Sequence, residues 1–466
     1  MPNSNLMFFN LNHAITKNSK AIIILDMKAK TILNIGFDDT DSKKAMCTTF
    51  LAYKVVNSIK KEGAEFLDFP HLIRFNPNIP WKTRGNGAIS LSIRTNKPKK
   101  IKKIVKKLVT RYSDIKGGAN PGLVFYEKEK PEKNFSEFSE SALCKLISRK
   151  NAKNFASKNK IETLSLGNGQ GIVGAIGAIG YKFNDHTFEL LTYRTKSQFG
   201  KKREIDKESV RLMQEKTFPF TFNSYDNNKN RILITPHGPD PVFYGIRGEN
   251  PKSVINASRL IETKEKLEGY MTFKTNQGTS DHLKNEIDVN DFKPFTSGTI
   301  KGIVSKKPCM KQGKHVFFSI KTNNREILCA VYRPTKITST VMELKQGDKI
   351  LVGGGVRKAS KKHKRILNVE FIKVLKLVTE FKLVNPLCTK CKKRMKSKGK
   401  NQGYQCVKCG KKTKNKKILK VNREIKQKLY LPDISAHRHL TRPMQRIGLS
   451  NKMRKFDNRT HWIQVF

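Results

Sequence analysis

Apolar and polar positions change rhythm several times along the chain, and the changes divide it into blocks. Thr31-Ile-Leu-Asn-Ile-Gly-Phe37 reads as a buried strand, followed by the polar run Asp-Asp-Thr-Asp-Ser and a helix over about 48–61. Residues 87–93 predict another strand, 101–109 a helix with apolar positions three and four apart, and 139–148 a further helix. The charged stretch 150–160 reads as a boundary. The next block, 161–290, alternates again: a small-residue helix over 169–180, a strand over 188–193, a helix over 204–215, strands over 231–235 and 242–246, and a helix over 251–262. That alternation predicts an α+β layer with helices on one sheet face. From Gly298 the rhythm turns to five short strands (298–304, 315–320, 326–332, 349–352 and 367–374), with a helix-compatible segment at 341–345 between the third and fourth. This is the order of an OB barrel, a fold whose strands bind single-stranded nucleic acid. The expected divisions are therefore 1–30, a poorly ordered N-terminal extension; 31–160 and 161–290, two α+β domains; 291–383, the barrel; 384–420, a cysteine-bearing ribbon; and 421–466, a basic tail.

Composition sharpens this picture in three ways. A length of 466 residues itself calls for three or four domains. Lys and Arg number 94 against 38 Asp and Glu, a formal charge of +56 that points to a polyanionic partner. A hydrophobic content of 37% with 27 Phe supplies real cores, which excludes wholesale disorder. The longest weakly apolar run, 171–181, is too short and Gly-rich to span a bilayer, so no membrane association is expected. Ala21-Ile-Ile-Ile-Leu25 lacks the flanks of a signal peptide. Four of the eight cysteines fall in two Cys-x-x-Cys pairs, which argues for a reducing, cytoplasmic setting and against a disulfide scaffold.

Those pairs, Cys388-Thr-Lys-Cys391 and Cys406-Val-Lys-Cys409, have the spacing of a closed tetrahedral Zn²⁺ site of structural role; free or redox thiols are the plainer reading. Gly403 and Gly410 suit the tight turns such a site needs. Between Val384 and Tyr430 stand seventeen Lys or Arg and one acid, Glu424, either a solvated face or a nucleic-acid grip beside the barrel. Asp38, Asp39 and Asp41 crowd the end of the first strand. They could hold Mg²⁺ and a nucleotide, or simply form a turn and cap a helix. The stretches 84–88, 117–122 and 167–171 are Gly-rich and could cradle phosphate, although each alone is an ordinary turn. Arg84 favours the first of them, because a guanidinium can clamp a phosphate.

Taken together the motifs resemble those of the archaeal tRNA(Ile) 2-agmatinylcytidine synthetases. The resemblance runs through Ile35-Gly-Phe-Asp-Asp-Thr-Asp-Ser42, Met46-Cys-Thr-Thr49, Arg84-Gly-Asn-Gly-Ala88, Ala119-Asn-Pro-Gly122 and Thr217-Phe-Pro-Phe-Thr-Phe-Asn223. It continues through Pro236-His-Gly-Pro-Asp-Pro241, Gly245-Ile-Arg-Gly248 and Asn276-Gln-Gly-Thr-Ser-Asp-His-Leu283, covering most of 31–445. It implies a multidomain α+β protein: an N-terminal α/β kinase-like domain (31–160), a ferredoxin-like domain (161–290), an OB fold and a zinc ribbon. It also implies an ATP-dependent carbon–nitrogen ligase that joins agmatine to C2 of cytidine 34 in the CAU-anticodon isoleucine tRNA, through a phosphorylated cytidine, so that AUA is read. ATP, Mg²⁺ and Zn²⁺ are the implied cofactors, and no protein partner is called for. By the same resemblance Asp38, Asp39 and Asp41 are expected to serve catalysis, the first two holding Mg²⁺. Thr48 is expected near the chemistry as a self-phosphorylated residue, where a helix N-cap is the plainer reading. Ser42, Arg84, Gly85, Asn86 and Gly87 are expected at the ATP phosphates. Asp240 and Asp281, and less so Glu249, are expected at the cationic agmatine. Ser280 stands where the family tends to have Asp. Competing readings are a non-catalytic nucleic-acid-binding protein and a replication or repair factor, neither of which would consume ATP in a tRNA- and agmatine-dependent way.

Overall fold

The computed structural model describes residues 30–361, 364–451, 456–457 and 460–466, so the expectation for 1–29 lies outside the described residues. The chain forms two compact units, one ending at His282 and completed by His437–Phe466, the other running from Leu283 to Ala436.

In the first unit β1 (Thr31–Asp38) is followed by α1 (Thr48–Lys61), β2 (His71–Arg74), β3 (Gly87–Thr95), α2 (Pro98–Tyr112), β4 (Gly122–Tyr126), α3 (Lys133–Cys144), α4 (Arg149–Lys158) and β5 (Glu162–Ser165). Then come α5 (Ile172–Gly180), β6 (Thr187–Arg194), α6 (Lys207–Thr217), β7 (Val242–Gly248), α7 (Pro251–Ser258) and β8 (Leu267–Thr275). The strands make a single sheet in the order β5-β4-β1-β3-β2-β8-β6-β7. Its pairings are antiparallel except β2 with β8, which is parallel, so the alternation in the sequence builds an antiparallel layer. The expected division near 160 falls inside this sheet: one apolar cluster takes Leu33 and Val56 from one side and Leu190 and Phe273 from the other. The stretch read as a boundary is largely α4, whose small residues Ala152 and Ala156 are its buried positions.

The helices follow from their patterns. In α2, Ile101, Val105 and Val109 recur every four residues and are buried, while Lys103 and Lys107 face water and Lys102 and Lys106 pair with Glu162 at 2.5 and 2.8 Å. The residues read as a basic tail instead return to the sheet. Ile463–Val465 pairs with β8, and Trp462 is only 2% exposed, edge-on to Phe66 at 5.3 Å. Burying an aromatic of that size contributes roughly 2–3 kcal/mol, enough to fix a chain end. Arg446 is fully buried because Asp185 meets it at 2.9 Å and Glu249 at 2.5 Å.

The second unit holds a five-stranded closed barrel made of β9 (Ser297–Lys311), β10 (His315–Thr322), β11 (Arg325–Val331), β12 (Lys349–Arg357) and β13 (Ile366–Lys376), with α8 (Thr338–Met342) between β11 and β12. Parallel pairing of β11 with β13 closes it. A two-stranded ribbon, β14 (Glu380–Val384) against β15 (Lys417–Val421), carries the cysteine segment between its strands. Its base is clasped by Asp348, wholly buried, which accepts from the Lys345 and Val378 amides at 2.8 and 2.9 Å and pairs with Arg423 at 2.6 Å. No helix among the described residues is long and apolar enough to cross a membrane.

Candidate active site

A cleft of about 490 Å³ opens on the first unit where β1 ends and β3 begins, beside β6 and the 233–240 loop. Asp38 is the last residue of β1, and α5 lies directly across it. A Cβ on Gly36 would meet the Ala175 carbonyl, and one on Gly174 would overlap the Asp38 carboxylate. The run of small residues in α5 is thus what lets a buried strand end in an acid. Asp38 accepts the Asp39 amide at 2.7 Å, and Asp39 sits at φ 55, a left-handed conformation that Asp tolerates better than most residues. Arg84 and Asn86, which line the same cleft, also have positive φ. Strain of this kind concentrates at functional sites.

Asp38, Asp39 and Asp41 line the cleft together. Burial, then the Asp39 charge, pushes Asp38 well above the usual carboxylate range. Burial and Asp41 push Asp39 up to about 6, against hydrogen bonds from Asn120. Burial raises Asp41 as well, opposed chiefly by the Arg84 guanidinium. Asp41 alone of the three has an ion-pair partner among the described residues, Arg84 at 3.3 Å. The set is therefore short of positive charge, and carboxylate oxygens are the ligands that hard divalent cations take.

The other expected residues divide. Gly85, Asn86, Gly87, Thr48 and Asp240 line the cleft. Thr48 is the first residue of α1 rather than its cap: Cys47 holds the cap position without a side-chain bond, and the Thr48 hydroxyl meets Thr40 at 3.0 Å and Asp41 at 3.4 Å. Arg84 does not present an open fork. It donates to the Met46 and Ser42 carbonyls at 3.0 Å each, and it faces Asp41 and Asp240, so it braces the loops around the cleft. The Ser42 hydroxyl bonds Asp114 at 2.5 Å and accepts the Lys44 amide, which places it in a turn outside the cleft lining. Asp240 is buried between Arg84 at 3.7 Å and Arg203 at 3.5 Å. Asp281 lies outside the lining, bonded by the Tyr181 hydroxyl, and Glu249 is held by Arg446 and Asn451. Ser280 pins the returning chain, its hydroxyl accepting the Arg442 amide at 3.0 Å.

Several lining residues carried no local signal. Glu189, in the apolar strand β6, is buried against Arg247 at 3.0 Å and Arg74 at 3.7 Å. His439 reaches the cleft from the C-terminal segment, where its Nδ1 lies 2.8 Å from Gln277 and 3.0 Å from Arg247. Burial first, then Arg74, Arg247 and Lys82, hold this imidazole well below its ordinary pKa.

In the second unit the Sγ atoms of Cys388, Cys391, Cys406 and Cys409 lie within 4.8 Å of one another. The Cys391 amide points to the Cys388 sulfur at 3.5 Å, and Gly410, at φ 71, turns the second pair by donating to the Cys406 carbonyl. Four thiols converging this closely fit a closed tetrahedral Zn²⁺ site. Gly403 serves the adjoining hairpin rather than a cysteine turn: a Cβ there would stand 2.6 Å from the Thr413 carbonyl.

An acid-lined cleft on an antiparallel sheet, a closed barrel and a four-cysteine ribbon place the chain among multidomain α+β proteins that combine a polar reaction cleft with a zinc ribbon. Family models match it in three places: the TiaS TCKD domain at residues 34–101, the TiaS FLD domain at 169–282 and the TiaS C-terminal zinc ribbon domain at 385–425. The isoleucine-tRNA 2-agmatinylcytidine synthetase TiaS of Cenarchaeum symbiosum (strain A) is 45% identical over 94% of this chain and 98% of its own. The crystal structure of apo TiaS, an isoleucine-tRNA agmatidine synthetase, is 33% identical and superposes with a TM-score of 0.81, covering 89% of this chain and 97% of its own. A complex of TiaS with its isoleucine tRNA, AMPCPP and agmatine gives 0.77 at 30% identity, over 91% and 99%. The chain belongs to the family of isoleucine-tRNA 2-agmatinylcytidine synthetases.

Proposed function

We propose that this protein is an ATP-dependent ligase that joins agmatine to C2 of cytidine 34 in the CAU-anticodon isoleucine tRNA. The observation that carries the reading is the cleft with three carboxylates, in a chain similar over nearly its whole length to proteins of that named activity. The solved complex of a relative with its isoleucine tRNA, AMPCPP and agmatine supports the same set of partners.

The chemistry sets what the cleft must do. The C2 oxygen of cytidine is a poor leaving group, so it first takes a phosphoryl group from ATP. The primary amine of agmatine then attacks C2, phosphate departs with the oxygen, and the amine gives up a proton. Asp38 and Asp39 are proposed to hold Mg²⁺ with the nucleotide, since burial and their mutual repulsion raise both and neither has an ion-pair partner among the described residues. Bound there, the ion would neutralise charge developing on the transferred phosphoryl group. Gly85 and Gly87 let the backbone approach the phosphates, while Arg84 keeps that loop in place by its two carbonyl bonds. The Thr48 hydroxyl, 3.4 Å from Asp41, is positioned to accept a phosphoryl group in self-phosphorylation. Asp240 is the proposed counter-charge for agmatine. Asp281 is not, because it lies outside the cleft lining.

The domain assignments belong to the same reading. Residues 31–160 are taken as the kinase-like part and 161–282 as the ferredoxin-like part, joined in one sheet. The barrel is taken as an OB fold on its strand order and the helix before its fourth strand. The decisive experiment is nucleoside mass spectrometry of the CAU-anticodon isoleucine tRNA transcript incubated with the protein, ATP and agmatine. Agmatine-bearing cytidine should appear only when all components are present. ATP consumption that ignores tRNA and agmatine, with no modified nucleoside, would overturn the proposal.

A further inference from the structure

The chain has two tryptophans, and they are used in opposite ways. Trp462 is buried to 2% in the core; Trp81 is 52% exposed and forms part of the cleft wall. An indole left open to water at the mouth of a polar cleft forfeits the burial that makes tryptophan useful elsewhere, unless something flat covers it.

The loop that carries Trp81 is braced on both sides. The Phe75 amide donates to the Asn86 carbonyl and the Asn86 side chain to the Asn76 carbonyl, each at 2.9 Å. Lys82 Nζ donates to the Arg84 carbonyl at 2.9 Å, and Arg438 donates to the Asn78 side chain at 3.0 Å. The indole therefore sits on a platform fixed before any ligand arrives.

Positive charge gathers on this wall. Lys43, Lys82 and Lys145 line the same cleft, and none of them forms an ion pair among the described residues. Burial first, and then the charges of Arg438 and Lys43, lowers the Lys82 pKa. The carboxylates Asp38, Asp39 and Asp41 share the cleft but leave these lysines unpaired. An exposed aromatic face with cations beside it is the arrangement that grips single-stranded nucleic acid, since bases stack on the ring while lysines meet the phosphates.

We propose that Trp81, with Lys43, Lys82 and Lys145, is a single-strand RNA clamp that stacks an unpaired anticodon-loop nucleotide beside the cytidine entering the cleft. This rests on the tRNA-ligase reading and assigns part of the RNA grip to the catalytic unit itself, in addition to the barrel and zinc ribbon.

The test uses the full chain, the isoleucine tRNA transcript, ATP and agmatine. Trp81→Ala should raise the KM for tRNA about tenfold, the scale of one lost base stack, and leave the KM for ATP within about twofold. Trp81→Phe should recover most of the loss. Binding of tRNA should quench tryptophan emission in the parent protein but not in Trp81→Phe, where Trp462 is the remaining reporter, and ATP alone should not quench. Replacing Lys43, Lys82 or Lys145 with Ala should flatten the log–log salt dependence of tRNA binding by roughly 0.7 per contact. If ATP alone quenches Trp81 and Trp81→Ala raises the KM for ATP instead, the indole is a shelf for adenine and the proposal fails. An unchanged KM for tRNA in Trp81→Ala overturns it too. A parent protein that tRNA quenches but that forms no modified nucleoside would support the clamp while overturning the ligase reading.

Discussion

Replacing Asp39 with Asn separates the cost of the carboxylate cluster from its use. In the ligand-free protein Asp39 titrates near 6 instead of 3.8, raised first by burial and then by Asp41. Between those two pH values the folded chain holds more of this proton than the unfolded chain does. Stability contributed by the group is therefore full below about pH 4 and is lost as pH rises through 6. The shift of about two units would correspond to about 3 kcal/mol, and partial solvent screening reduces this to about 1–2 kcal/mol. Asn keeps the shape, tolerates φ 55 as Asp does, and removes the charge. It also relieves Asp38, whose proton affinity the Asp39 charge raises.

Thermal melts of the ligand-free protein at pH 4.5 and 7.5 measure this directly. Asp39→Asn should melt about 2–6 °C above the parent at pH 7.5 and close to it at pH 4.5. With Mg²⁺ and ATP the order should reverse, because the parent gains stability by binding and the variant does not. Agmatine incorporation by the variant should fall to background. A variant less stable than the parent at pH 7.5 without ligand would show that Asp39 is a structural turn residue and that the repulsion argument is wrong.

Gly174→Ala should abolish modification and lower stability by roughly 1–3 kcal/mol in denaturant melts, since its Cβ falls on the Asp38 carboxylate. Cys406→Ser should lose the one zinc per chain expected of the parent by elemental analysis and loosen the 385–416 segment to proteolysis, the first unit melting unchanged. Asp348→Ala should cost roughly 3–5 kcal/mol at neutral pH by stranding Arg423, measured by urea titration of the full chain. Hydrogen bonds from Arg423 and from two amides hold the Asp348 pKa down, so its contribution should fade as pH drops through the acid range. Truncation at Val384 would also remove the returning segment 437–466, so the zinc ribbon's share of RNA binding is better measured by excising 385–416. The register Val384↔Lys417 allows a short turn to close the ribbon there. The excision removes twelve cations and no acid, and both tRNA affinity and its salt slope should fall.

What was legible in the sequence was local. The helix over 48–61 and the strand from Thr31 have strong periodicity and bounded ends, and both stand where the pattern puts them. The five barrel strands are equally clear, because each sends apolar side chains into a single core. Between 133 and 158 the pattern misleads. Two helices meet at Lys145–Ser148, and the second buries only alanines, so its apolar signal is faint. A cue was present in Ser148, whose hydroxyl caps α4 by accepting the Asn151 amide. The acidic cluster was readable from composition alone, but the glycines of α5 that make room for Asp38 could only be understood in three dimensions.

The C-terminal segment shows most clearly why the remainder was hidden. Its arginines look solvated when counted along the chain, yet Arg446 and Arg442 are neutralised by Asp185, more than two hundred residues away. Pairing at that separation leaves no periodic trace. It also has a chemical consequence, since the same segment delivers His439 to the cleft against the loop at Gly85. The cleft is therefore complete only when the last thirty residues have folded back onto the first unit, after the whole barrel and ribbon have been made. A chain that stops early would keep the carboxylates but lose His439, Trp462 and the buried arginine clasp. The first unit thus depends on the integrity of a segment that composition alone would mark as dispensable.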